Sequence, residues 1–151
     1  MNLLSILGAA PDRFVNGAEI ARVAGLSRAA VWKQVEELRT RGYVIDAQPH
    51  RGYRLMARPD RPYPEEVQDG LATGIFGRRA LHFAALSSTN NEAKRLGAAG
   101  WPEGTVIVAE EQTAGRGRLG RRWSSPAGGL WFSLIVRPNL DLSNLGPLTT
   151  V

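Results

Sequence analysis

"NGAEIARVAGLSRAAVWKQVEELRTRGY" occupies residues 16–43, and its punctuation is that of two helices with a short break. "AEIARVA" predicts a helix over residues 18–24. Gly25 follows as a residue that enters the left-handed conformation at a helix end without a Cβ penalty. Ser27 then offers its hydroxyl to the free N–H groups of a second helix, which is expected to run to Gly42. Val31, Val35 and Leu38 recur at i, i+4 and i+7 and are its expected buried stripe. Arg28, Lys33, Arg39 and Arg41 fall mostly on other faces, while Trp32 is assigned to the core ahead of a dimer or DNA contact.

A short helix, a glycine turn and a second helix opening on Ser-Arg describe a helix-turn-helix. Upstream, Leu3, Leu4 and Leu7 lie at helical spacing before Gly8. Downstream, "YVIDAQ" and "GYRLM" predict two short strands around a Pro-His-Arg turn, a wing, with His50 as a solvated turn residue. Residues 1–57 are therefore expected to form a winged helix-turn-helix. The second helix of such a unit enters the major groove N-terminus first. Ser27, Arg28, Ala29 and Lys33 are its candidate DNA contacts, and the wing arginines Arg51 and Arg54 are candidate phosphate contacts. The same unit could serve protein contact, but basic residues at both helix start and wing favour DNA. Charge agrees: the 151-residue chain carries +5, and residues 1–58 hold nine Arg and Lys against five Asp and Glu, while the remainder is nearly balanced.

"ARPDRPYPEE" places three prolines in residues 57–66, so a linker is expected over 58–66 and a second domain over 67–151. There "PEEVQDGLA" is a weak helix and "ALHFAAL" a strand. "STNNEAKRLGAAG" is a helix capped by Ser88 or Thr89, and "GTVIVAEEQ" is a strand rich in β-branched residues. "GGLWFSLIVRP" reads as one long strand ending at Pro138. The mixture predicts an α+β domain. Cysteine is absent, which excludes disulfides, a thiolate nucleophile and a Cys-based zinc site. Two histidines alone, His50 and His82, make no metal cluster, so no metal site is assigned. No apolar run reaches 18 residues and the N-terminus lacks a basic leader, so a cytoplasmic protein with no membrane partner is expected.

Between the last two strands lies "GRGRLGRRW", residues 115–123, with three glycines, four arginines and no acid. It matches G-x-G-x-x-G in form, but a dinucleotide fold needs a helix to begin within those glycines, and Pro126 with Gly128 and Gly129 forbids one. The Gly-Lys-Ser/Thr of a phosphate loop is missing. A nucleic-acid-binding RG segment and a merely solvated loop remain open; an anion cradle is favoured. Glycines let backbone N–H groups approach an anion, guanidiniums bind phosphate or carboxylate in pairs, and Trp123 offers a face to a base. Such a loop is expected to repel itself when empty and to order over its ligand as a lid.

These residues resemble a known family. "GRGRLGRRW" is similar to the signature loop of biotin–protein ligases, "SSTN" at 87–90 to their biotin-contacting turn, and "AEEQTAGRGR" to their strand-plus-glutamine approach. "GLSRAAVWKQVEELRTRGY" and "RGYRL" resemble the recognition helix and wing of the bifunctional members, which also repress biotin operons. The resemblance implies a winged helix-turn-helix followed by the first part of a class II synthetase-like mixed-sheet ligase domain. It implies activation of biotin by ATP and Mg²⁺ to biotinoyl-5′-AMP, then transfer to a lysine of a biotin carboxyl carrier domain. Operator DNA and a ligand-promoted homodimer come with it. By motif match, Ser88, Thr89, Asn90, Gln112, Arg116, Gly117 and Arg118 contact biotin, and Gly115, Arg118, Arg121 and Trp123 the adenylate. Arg116, Arg118 and Arg121 are the candidate catalytic residues, and Leu130, Trp131 and Ser133 line the pocket. The family also has a Lys-Trp-Pro-Asn-Asp segment and a C-terminal barrel-like domain, which these residues lack, so the 151 residues are expected to be a piece of a longer protein and a poor ligase alone. The competing expectation is a winged-helix regulator whose second domain senses biotin or its adenylate without catalysis.

Overall fold

The computed structural model describes residues 2–117, 119 and 121–139. The chain forms two compact units, Met1–Arg61 and Pro62–Val151.

The first unit contains α1 (Leu3–Gly8), α2 (Gly17–Ala24), α3 (Arg28–Thr40), β1 (Val44–Gln48) and β2 (Gly52–Ala57). Each helix begins on a side-chain cap that satisfies an otherwise free N–H. Asn2 Oδ1 accepts from Ser5 N and Asn16 Oδ1 from Ala18 N, both at 2.8 Å, and Ser27 Oγ accepts from Ala30 N at 3.1 Å. Gly25 closes α2 at φ +68°. β1 and β2 pair antiparallel, and Val15 extends the ribbon by exchanging hydrogen bonds with Tyr53 at 2.8 and 2.9 Å. Gly52, at φ +108°, makes that approach possible, because a Cβ there would lie 2.0 Å from the Val15 carbonyl oxygen. Leu3, Leu4, Leu7, Val15, Ile20, Tyr43 and Ile45 join the expected Val31, Val35 and Leu38 in the core.

Two expectations are corrected. Helix α3 stops at Thr40, with Arg41 as its C-cap, and Gly42 turns away at φ +93°. Trp32 is not a core residue: it is 60% exposed. Its neighbour Val31 occupies the buried stripe, and one residue of helix rotates the side chain by about 100°, out of that stripe.

The second unit contains α4 (Pro64–Gln68), β3 (Arg79–Phe83), α5 (Thr89–Ala98), β4 (Thr105–Ala109) and β5 (Trp131–Leu134). The sheet order is β3-β4-β5, with β3 and β4 parallel and β4 and β5 antiparallel. A parallel pair needs a crossover, and α5 supplies it. Its face buries Ala93 and Leu96 against Ile107 and Ile135, with Leu81, Phe83, Leu86 and Trp101 packed around them. Arg137 Nη2 donates to the carbonyls of Gly97 and Trp101, at 2.7 and 3.1 Å, a cation at the negative end of α5. The strand expected up to Pro138 is shorter. Gly128 turns at φ +97° before it, and after Ile135 the Arg137 N–H leaves the ladder for the Glu103 carboxylate, at 2.9 Å. Among the described residues, no helix is long and apolar enough to cross a membrane.

Candidate functional site

Beyond β4 the chain continues beside the turn that opens α5. Leu86 N donates to Glu111 O at 3.1 Å and Thr113 N to Leu86 O at 2.8 Å, a parallel bridge that sets Gln112 next to Thr89. The Gln112 amide is the hub of the site. Its Oε1 accepts from Thr89 N at 2.8 Å and from Thr89 Oγ1 at 3.1 Å, and its Nε2 donates to Ser125 Oγ at 2.9 Å. The orientation follows from chemistry: a backbone N–H can only donate, so the amide oxygen faces Thr89 and the nitrogen faces Ser125. Thr89 Oγ1 accepts in turn from the Ser133 hydroxyl on β5, at 2.9 Å. Ser88, Thr89 and Ser125 are all buried, so these bonds are made away from water. Ser88 itself caps α5, its Oγ 3.5 Å from Asn91 N.

The glycine–arginine segment springs from this hub. Gln112 N donates to Ser125 O at 2.9 Å, Trp123 N to Gly115 O at 2.9 Å and Gly117 N to Arg121 O at 2.8 Å. Arg116 and Arg122 face each other as an antiparallel bridge. The described part is thus a backbone-paired hairpin. Arg116, Arg121 and Arg122 are exposed, where their charge is screened by water and salt. A Cβ on Gly115 would sit 2.4 Å from Trp123 O and 2.7 Å from Ser125 Oγ, so no side chain fits there. Leu119 stands at the tip, 93% exposed with φ +58°. Arg118 and Gly120 lie outside the described residues.

Two hollows of about 530 Å³ each border on both Gln112 and Trp123. In one, Thr89, Asn90, Gln112 and Arg116 provide polar groups, while Trp123, Leu130, Trp131 and Phe132 provide apolar surface. The other is more polar, with Thr113, Gly115, Arg122 and Ser124 among its lining. Arg116, Arg121 and Arg122 have no carboxylate partner among the described residues, which leaves three cations available to an anion. The arrangement can hold a ligand with an apolar body, a hydrogen-bonding head and a nearby negative charge. On the outer side of α5, Arg95 holds Glu92 at 2.6 and 2.9 Å, and that hydrogen bond keeps the Glu92 carboxyl below its usual range.

In the first unit, Arg28, Ala29 and Lys33 are exposed at the start of α3, and Ser27 is spent as its cap. Arg51 Nη1 donates to Gln48 Oε1 at 2.8 Å, and its guanidinium lies 4.3 Å from the centroid of the Phe14 ring. Arg54 shares that ring at 4.7 Å and reaches Asp46 at 3.5 Å. A groove of about 590 Å³ runs between the start of α2, Arg28 and the wing turn at Gln48, Pro49 and His50.

Residues 82–149 match the Biotin/lipoate A/B protein ligase family, and residues 1–54 match an HTH domain. The chain is similar to the bifunctional ligase/repressor BirA of Bacillus subtilis (strain 168), at 42% identity over 149 residues, which are 98% of this chain and 46% of that protein. Similarity to the BirA of Escherichia coli (strain K12) is 33% over 143 residues, 91% of this chain and 41% of that protein. The chain therefore spans about half the length, or less, of these curated relatives. A solved biotin protein ligase from Aquifex aeolicus, in complex with biotin and ATP, is 42% identical where it aligns, over 38% of this chain and 23% of that one, with a TM-score of 0.33.

Within the second unit, the structure brings Thr89, Asn90, Gln112, Arg116, Gly117 and Trp123 to one hollow, and Gly115 to the other. Ser88 and Arg121 line neither, Ser88 because it is buried as a cap. Ser125 escapes the sequence reading. Its only signal is the Ser-Ser-Pro that follows Trp123, an ordinary turn composition.

Proposed function

We propose that this chain belongs to the biotin–protein ligases and serves one that also represses transcription, with residues 1–57 as the DNA-binding domain, 58–66 as linker and 67–151 contributing to the catalytic domain. The biotin carboxylate attacks the α-phosphorus of ATP and pyrophosphate leaves, giving biotinoyl-5′-AMP. A lysine amine of a carboxyl carrier domain then attacks the activated carbonyl, and AMP leaves. The observation that carries this reading is the hub at Gln112. One amide ties the opening of α5 to the base of an arginine-rich hairpin, beside a hollow with apolar walls. Such a pocket suits a fused-ring urea with an alkyl carboxylate, and Arg116 and Arg121 suit the phosphate that joins it. Bringing a carboxylate to a phosphate opposes like charges, so the protein's part is position and electrostatics. Mg²⁺ would enter on the ATP phosphates, whose hard oxygens it prefers. Operator binding by a helix-turn-helix at paired half-sites calls for a homodimer, promoted by the adenylate, in the cytoplasm.

The test is a pair of measurements on the full chain. Biotinoyl-5′-AMP is titrated while trypsin cleavage at residues 115–123 is followed, and pyrophosphate release from biotin plus ATP is assayed separately. Protection that is weakened by Arg116→Ala or Arg121→Ala supports the site. Unchanged cleavage at saturating adenylate sinks it. Protection by the adenylate in a protein that makes none from biotin and ATP favours the sensor alternative.

A further inference from the structure

We infer that Trp32 is a specificity-determining residue that reads the 5-methyl group of thymine in the major groove. The inference rests on the DNA-binding reading of the first unit. Trp32 is the largest apolar side chain of that unit and is 60% exposed, although the core beneath α3 is filled by Val31, Val35 and Leu38. It lies three residues after Ala29, four after Arg28 and next to Lys33, so the four share the outward side of the first two turns. Charge along α3 is divided. Arg28 and Lys33 have no acidic partner among the described residues. In the second half, Glu36 is 2.7 Å from Arg39 and Glu37 is 3.6 Å from Arg41. The opening turns therefore present one indole between uncompensated cations, and the closing turns are neutralised internally.

A protein partner fits this poorly: a single aromatic set between two free cations is not an apolar patch. A polyanion with an apolar feature at its surface fits well. The major groove has that feature in the thymine methyl, the apolar element of its base-edge pattern. Ala29 and Ala30, at the entering end, let the helix approach closely, so a long side chain one turn further in reaches base edges.

The experiment uses the full chain to select duplexes from a random library. In the selected sequence each thymine is then replaced, one at a time, by deoxyuridine, which lacks only the methyl. One or two positions per half-site should lose about fourfold in affinity, the value of one buried carbon. Trp32→Ala should bind the thymine and deoxyuridine forms of those positions equally, and Trp32→Phe should keep part of the difference. Exposure of Trp32 lets both variants fold, which circular dichroism checks. Equal deoxyuridine sensitivity in Trp32→Ala overturns the inference. So does a uniform loss over all sequences with a shallower salt dependence, which marks a phosphate contact. A change in sedimentation mass with DNA affinity untouched marks a protein contact and overturns it as well. If no sequence is enriched at all, the DNA-binding reading itself fails, and the role of Trp32 falls with it.

Discussion

Replacing Gln112 by leucine removes three hydrogen bonds without opening a large void. The N–H and O–H of Thr89 both lose their acceptor, and Thr89 is only 3% exposed, so water cannot take its place. A buried donor left unpaired costs about 1–3 kcal/mol. The Ser125 hydroxyl loses a donor but keeps its proton near Trp123 O, at 3.5 Å, and adds less. Gln112→Leu should therefore destabilise the second unit by about 2–4 kcal/mol. Ser125→Ala strands the Gln112 Nε2 and should cost about 1–2 kcal/mol. In the double variant that nitrogen no longer exists, so the combined cost should fall short of the sum by about 1 kcal/mol. The assay is urea unfolding followed by tryptophan fluorescence in a Trp32→Phe background, where Trp101, Trp123 and Trp131 all report on the second unit. Hydrogen exchange at the Thr89 amide gives a local reading, and it should accelerate in Gln112→Leu. Strict additivity together with an unaltered Thr89 amide would refute the hub.

Gly115→Ala should force the base of the hairpin apart, since its Cβ meets Trp123 O at 2.4 Å, and weaken biotinoyl-5′-AMP binding about tenfold or more. Calorimetric titration checks this, with Gly74→Ala, a site with no atom within 4 Å, expected to change nothing. Gly52→Ala should destabilise the first unit by about 3 kcal/mol or more, seen as a lowered thermal midpoint, because it combines φ +108° with a 2.0 Å clash against backbone. The Glu92 carboxyl is held low by the Arg95 hydrogen bond, so its contribution is present above the ordinary value of 4.5 and lost as pH falls through the lowered one. Arg95→Gln should accordingly be less stable than the parent at pH 7, and the gap in urea midpoints should close in acid. A gap of the same size at both ends would contradict the pairing.

The parts of this fold that the sequence discloses are those decided within one helical turn. Ser27 and Gly25 bracket a turn because a hydroxyl reaches an amide three residues on and a glycine tolerates φ +68°. Val31, Val35 and Leu38 show their face through spacing alone. Trp32 is the instructive failure: hydrophobicity argues for burial, but its angular position on α3 prevents it, and position prevails because the helix is rigid. The site lies between these extremes. Thr89 and Gln112 can each be picked as candidates, yet they are 23 residues apart, and only the parallel bridge at Leu86 makes them partners. Ser125 becomes visible only after Gln112 has been oriented by Thr89.

The hairpin sets composition against local geometry. Four arginines argue for mutual repulsion, and therefore for an open chain that orders only on an anion. Side-chain charge in water is weakened by screening. The opposing terms are local: two backbone hydrogen bonds within the hairpin, and a glycine at position 115 that lets the two ends meet at Trp123 and Ser125. The described backbone is thus paired, and Arg116, Arg121 and Arg122 have no carboxylate partner among the described residues. An anion entering such a site gives up less chain entropy than one that must first order a loop. The charge that looks like an obstacle to structure is then the part of the hairpin left free to bind.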